Sequence, residues 1–183
     1  MSKQVLFIQG GGNDGYDADA RLVDSLQQAL GVPYSIRYPR LQTDESLPDF
    51  GWLRQIGDEL EKLSDEGILV AHSLGAALLL RYLSENKLST KAYGVFLLAT
   101  PFWTGQEDWV QGLTLQADFA QCLPPASRFF FYHCRDDEEV PFDHLTTYRK
   151  KLPTAMFREI DRGGHQFENS LDVVAQDIKG QSN

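Results

Sequence analysis

The sequence predicts an α/β domain with a mostly parallel sheet of about six strands and helices on both faces. Two observations predict it. Short β-rich runs alternate with helical runs along the chain, as in successive βα units whose sheet is covered on both sides. The 183 residues, 42% of them hydrophobic, suffice for one core of ordinary size. No internal repeat, low-complexity stretch or linker divides the chain, so residues 1–183 are expected to form a single domain.

Each element follows from its pattern. Gln4 to Gln9 reads as a buried first strand. Leu22, Leu26 and Leu30, four residues apart, mark the apolar face of a helix that Gly31-Val32-Pro33 ends. Tyr34 to Tyr38 is a second strand, and Trp52, Ile56, Leu60 and Leu63 mark the next helix. Gly67 to Ala71 is the third strand, followed by a buried helix over Ala76 to Leu83. Tyr93 to Ala99 and Arg128 to His133 are the fourth and fifth strands. A helix is expected over Asp143 to Lys151 and a sixth strand over Ala155 to Ile160. Phe167, Leu171, Val174 and Ile178 mark a closing helix.

One stretch breaks the alternation. Thr100 to Pro125 is long for a connection and carries Phe102, Trp103, Trp109, Phe119 and Pro124-Pro125. Its place after a strand end makes residues 100–125 a candidate lid. Phe102, Trp103 and Trp109 could line an apolar pocket there, or could pack on the sheet.

Composition narrows the partners. Acidic residues outnumber basic ones, 26 to 17, for a formal charge of -9, and no Lys/Arg cluster stands out. Nucleic acid and anionic membrane are therefore not expected partners, and the acidity fits a role in solubility. The four-residue apolar run Val5 to Ile8 is too short for a signal peptide, and no run approaches the roughly 18 residues of a membrane span, so a cytoplasmic location is expected. Cys122 and Cys134 resemble neither a disulfide framework nor a metal or redox motif, and both are expected to be buried thiols.

In open parallel sheets, ligands bind at the carboxyl ends of the strands. The third strand runs into Ala71-His72-Ser73-Leu74-Gly75 and then a helix. A serine at the tip of a sharp strand-to-helix turn is a nucleophile elbow, G-x-S-x-G, whose small flanking residues let strand and helix approach. Ala71 replaces the first glycine with another small residue. The turn places Ser73 and the Leu74 N–H at a helix N-terminus, where developing negative charge is favoured. A serine there could instead serve only as an N-cap.

A serine hydroxyl needs a base. Four histidines are present, and only His165 lies on a glycine-rich loop after the last strand, in Asp161-Arg162-Gly163-Gly164-His165. His72 adjoins the serine and is expected to point elsewhere; His133 ends a strand and His144 lies on a helix. The acid that orients the base is sought after the fifth strand, in Cys134-Arg135-Asp136-Asp137-Glu138-Glu139-Val140-Pro141, where Asp136 and Asp137 are both available.

These motifs, with Gln9-Gly10-Gly11-Gly12 after the first strand, resemble the α/β-hydrolase superfamily. Within it they are similar to the small, nearly lidless group that includes retinoblastoma-binding protein 9 and bacterial serine hydrolases. The resemblance spans essentially the whole chain. It implies a Ser73–Asp137–His165 triad, because an Asp-x-x-Val-Pro pattern selects Asp137 over Asp136. It also implies an oxyanion hole from the Gly11 and Leu74 N–H groups, with Gln9 where a histidine is common. The activity implied is hydrolysis of small carboxylic esters through an acyl-enzyme, with no metal or organic cofactor. Thioesters and amides share this machinery, and a non-catalytic protein-binding module on the same scaffold is a further alternative, so a protein partner is possible without being indicated. Gly10, Gly12 and Gly15 also match G-x-G-x-x-G, but Arg37 and Tyr38 stand where a dinucleotide site needs an acid.

Overall fold

The computed structural model describes residues 2–63, 67–86, 94–106, 108–125 and 127–181, the side chains of 108 and 109 apart. Its strands are β1 (Lys3–Ile8), β2 (Tyr34–Arg37), β3 (Ile68–His72), β4 (Gly94–Leu98), β5 (Arg128–Cys134) and β6 (Met156–Ile160). Its α-helices are α1 (Gly15–Leu30), α2 (Trp52–Glu61), α3 (Ser73–Glu85), α4 (Phe119–Cys122), α5 (Asp143–Lys151) and α6 (Asp172–Gly180). Short 3₁₀ turns span Asp108–Leu113 and Phe167–Asn169. The expected fourth strand began at Tyr93, which lies outside the described residues.

The strands form one six-stranded sheet in the order β2-β1-β3-β4-β5-β6. Every pairing in it is parallel. The period of two along each strand divides the core into two layers. Leu6, Ile8, Leu69, Ala71, Leu97 and Phe131 share one apolar cluster with Trp52 and Ile56 of α2, Leu78 and Leu79 of α3, and Leu145 and Tyr148 of α5. Val5, Phe7, Val70, Phe96, Leu98 and Tyr132 share the other with Leu22, Leu26 and Leu30 of α1 and Val174 and Ile178 of α6. The chain is thus a single-domain α/β fold with helices on both sides of the sheet.

β1 and β3 are neighbours, yet the chain leaves β1 toward β2 at one edge and leaves β3 toward β4 on the other side. Connections that diverge from adjacent strands open a crevice above their carboxyl ends. The loop after β1 and the turn after β3 meet there.

Two expectations need correction. Cys134 is buried, but Cys122 is exposed, because α4 is one turn long and buries only its Phe119. The closing helix α6 begins at Asp172, so Phe167 and Leu171 precede it. Their helix-like spacing is coincidental: Phe167, Glu168 and Asn169 all have positive φ, from 49° to 56°. Both side chains still enter the core beside α6.

Candidate active site

The site is assembled at the carboxyl edge of the sheet. Ser73 is the first residue of α3 and has φ of 50°, a left-handed conformation rare for a residue with a side chain. His72 before it is extended, so the chain reverses within one residue. The reversal requires close approach at Gly75, where an added Cβ would stand 2.1 Å from the Gln9 carbonyl oxygen and 2.8 Å from Ile8. Gly75→Ala is therefore expected to destabilise the protein by about 3 kcal/mol, the upper end of ordinary overpacking costs, measured by urea unfolding. An unchanged midpoint would show that the elbow has room.

His165 follows Gly163 and Gly164 (φ 153° and 60°) on the loop after β6. Its Nδ1 lies 3.0 Å from both carboxylate oxygens of Asp137. Nδ1 therefore carries the proton, and Nε2 is left as the acceptor. The Asp137 side chain is fully buried, whereas that of His165 is 11% exposed. Asp137 Oδ1 also accepts the N–H groups of Glu139 and Val140, at 2.9 Å each. His133 Nε2 stands 3.2 Å from Asp137 Oδ2 and donates to the Val140 carbonyl at 2.9 Å. Burial opposes ionisation of Asp137, but the hydrogen bonds from His133, His165, Val140 and Glu139 outweigh it and hold the carboxyl well below the usual range.

The other carboxylates of this loop hold the backbone that carries His165. Asp136 accepts the N–H groups of Gly163 and Gly164, at 3.3 and 2.9 Å. Glu138 accepts the N–H of His165 itself, at 3.1 Å. The pair Asp136-Asp137 thus divides its work: one side chain clasps the loop that carries His165 and the other meets the imidazole. Cys134, directly upstream, is no nucleophile, since burial and the surrounding carboxylates push its thiol up to about 12.

Ser73, Leu74, His165, Gly10, Gly11 and Gly12 line one cavity of about 860 Å³, a size typical of small-molecule sites. Gly11 packs against Leu74, where an added Cβ would come within 2.8 Å of the leucine side chain. The loop after β1 is fastened by Gln9, whose Oε1 accepts the Leu41 N–H at 2.9 Å. Phe102, Trp103 and Val110 also line the cavity. The Thr100 to Pro125 segment is rooted by Val110, Leu113 and Phe119, all nearly inaccessible. Trp109 lies on the 3₁₀ turn, and its side chain is outside the described residues.

Sequence reasoning did not single out His144. It lines the cavity from α5, and its Nδ1 accepts the Phe102 N–H at 3.0 Å. Burial, then the neighbouring His133, pushes its pKa down, so the ring is neutral with its proton on Nε2. Of the described residues lining the cavity, the acids are Asp14, Asp19 and Glu139, and none is Lys or Arg. Among the described residues, no cluster of three or more His, Cys, Asp or Glu is placed to hold a metal ion. No helix among them is long and apolar enough to cross a membrane.

Known proteins resemble this chain in sequence and fold. The model of a serine hydrolase family matches residues 34–170, about three quarters of the chain. The Bacillus subtilis (strain 168) protein named "Putative hydrolase YdeN" is 26% identical over 195 residues, spanning 95% of this chain and 93% of its own. The crystal structure of the B. subtilis ydeN gene product aligns over 100% of both chains with TM-score 0.68 and 24% identity. That of Arabidopsis thaliana SOBER1 also aligns over 100% of both chains, with TM-score 0.67 and 18% identity. These two structural likenesses speak for the fold.

Proposed function

The chain belongs to the serine hydrolase family, and from that premise we propose that it hydrolyses small, uncharged carboxylic esters through Ser73, His165 and Asp137. The observation that carries this reading is the His165 ring, held 3.0 Å from a buried Asp137 and lining the same cavity as Ser73. In the proposed reaction Ser73 Oγ attacks the acyl carbonyl while His165 Nε2 takes its proton. The imidazolium that forms is stabilised by Asp137, which stays ionised. The N–H groups of Gly11 and Leu74 receive the negative charge on the carbonyl oxygen, aided by the N-terminal end of α3. His165 then gives its proton to the departing alkoxide. Water repeats the sequence on the acyl-Ser73 ester and releases the acid.

The charge of the cavity favours a neutral ester. Asp19 is engaged by His72, which leaves Asp14 and Glu139 as uncompensated acids along the described lining. A coenzyme A thioester brings several phosphate charges, which that lining repels. Butyryl esters of simple alcohols are therefore expected to exceed butyryl-coenzyme A in kcat/KM by at least about 10-fold, the effect of roughly 1.4 kcal/mol. Steady-state assays of the purified protein check this. A preference for the thioester would reassign the substrate class, and absence of turnover on every ester, thioester and amide offered would favour a binding protein on this scaffold.

A further inference from the structure

We propose that Asp19 and His72 are a positioning pair that ties the oxyanion loop and the base loop to the Ser73 turn. This inference rests on the reading of Ser73 and His165 given above. Asp19 lies on the apolar stripe of α1 with Leu22, Leu26 and Leu30, and is fully buried. A carboxylate taken from water without partners is very costly, so its contacts decide what it does. His72 Nδ1 lies 2.9 and 3.0 Å from its two oxygens. Its Oδ2 accepts the Gly10 N–H at 2.7 Å, and its Oδ1 accepts the Gln166 side-chain N–H at 3.3 Å.

The other ring nitrogen sets the direction of the network. His72 Nε2 lies 3.0 Å from the His165 carbonyl oxygen, which can only accept, so Nε2 carries a proton. A second proton lies between Nδ1 and the Asp19 carboxylate. The His72 and His165 rings stand 4.7 Å apart between centroids, and the His72 ring is 1% exposed. One buried pair therefore reaches three chain segments. Asp19 fixes the Gly10 peptide, which precedes the proposed Gly11 donor. His72 fixes the carbonyl of the proposed base from the position next to the nucleophile.

An apolar pair could fill the same space without desolvating polar groups, so packing alone does not call for Asp and His here. What such a pair adds is geometric definition. Misplacing a reacting group by about 1 Å can cost on the order of 10²-fold in rate.

His72→Phe and His72→Gln separate position from stability. Phenylalanine has no donor. Glutamine can present an N–H near the Nε2 position, while both substitutions lose the Nδ1 contact with Asp19. Expected is a fall of about 10²-fold in kcat for His72→Phe with KM within about 2-fold, and recovery of at least about 10-fold in His72→Gln. The two variants are expected to melt at similar temperatures. Equal activity in the two variants, or losses that follow their melting temperatures, would overturn the inference.

Asp19→Asn covers the case in which His72→Phe does not fold. Its amide oxygen can still accept the Gly10 N–H, but the proton shared with His72 is lost. A fall of about 10-fold in kcat at constant KM is expected, and an unchanged kcat overturns the inference. Labelling by a fluorophosphonate separates this failure from a failure of the underlying reading. A labelled, active wild type with unaffected variants defeats the positioning pair alone. A wild type that takes no label and hydrolyses no ester defeats both.

Discussion

Asp137→Asn is expected to lower kcat by about 10⁴-fold while the protein remains folded. Asparagine fills the same volume and can still accept the Glu139 and Val140 N–H groups that now bond Asp137. It cannot reproduce a carboxylate with both oxygens 3.0 Å from His165 Nδ1. The amide can turn its own N–H toward the ring, which selects the tautomer whose Nε2 carries a proton and cannot take one from Ser73. It also withdraws the negative charge that stabilises the imidazolium. Steady-state kinetics on the best ester measures the loss, and a fall smaller than about 10-fold would remove Asp137 from the acid's role.

The same substitution has a signature in stability. The Asp137 carboxyl is depressed in the folded protein, so as pH falls the unfolded chain binds its proton first. The stability this carboxylate contributes is present above about pH 4 and is lost as pH falls toward the folded value. Urea unfolding at a series of pH values is expected to show a shallower acid loss in Asp137→Asn than in wild type.

Ser73→Ala is expected to show the larger kinetic effect, a loss on the order of 10⁶-fold in kcat, because it removes the atom proposed to become acylated. What remains is the reaction of water in a cavity that still holds His165 and the proposed oxyanion donors. The substitution deletes one oxygen at the first position of α3, one residue inside the N-cap His72. Folding is therefore expected to change little, although alanine inherits a φ of 50° that it tolerates no better than serine. Retained turnover in this variant would place the nucleophile elsewhere.

Much of the fold was legible because its signals are local. Apolar runs such as Val5 to Ile8 and the Leu22, Leu26, Leu30 stripe report burial on strand and helix faces, and both layers of the core follow from them. The sharp turn between β3 and α3 was legible because a small residue, a serine and a glycine at fixed spacing follow a strand. Chain order and strand ends point to Asp136 or Asp137 as the partner of His165, and only the Asp-x-x-Val-Pro pattern of the resembled superfamily selects Asp137, which meets His165 across 28 residues of sequence.

The supporting contacts were not legible for the opposite reason. Asp136 and Glu138 hold backbone N–H groups of the loop that carries His165, and backbone acceptors and donors leave no trace in residue type. Asp19 did leave a signal, a charge on an otherwise apolar helical stripe. Its partner His72 stands 53 residues away, so the charge alone could not name the contact. The run of left-handed residues at Phe167, Glu168 and Asn169 was hidden because only asparagine among them favours that conformation. Phe167 and Leu171 then imitate a helical repeat that the backbone does not make.

The proposed reaction requires Ser73 to be an activated nucleophile in an assembled site. Intact-mass measurement after fluorophosphonate treatment, on wild type and Ser73→Ala side by side, tests it most directly. One adduct is expected on wild type, mapped to Ser73, and none on the variant. A well-folded wild type that takes no adduct, or an adduct that persists in Ser73→Ala, would contradict it.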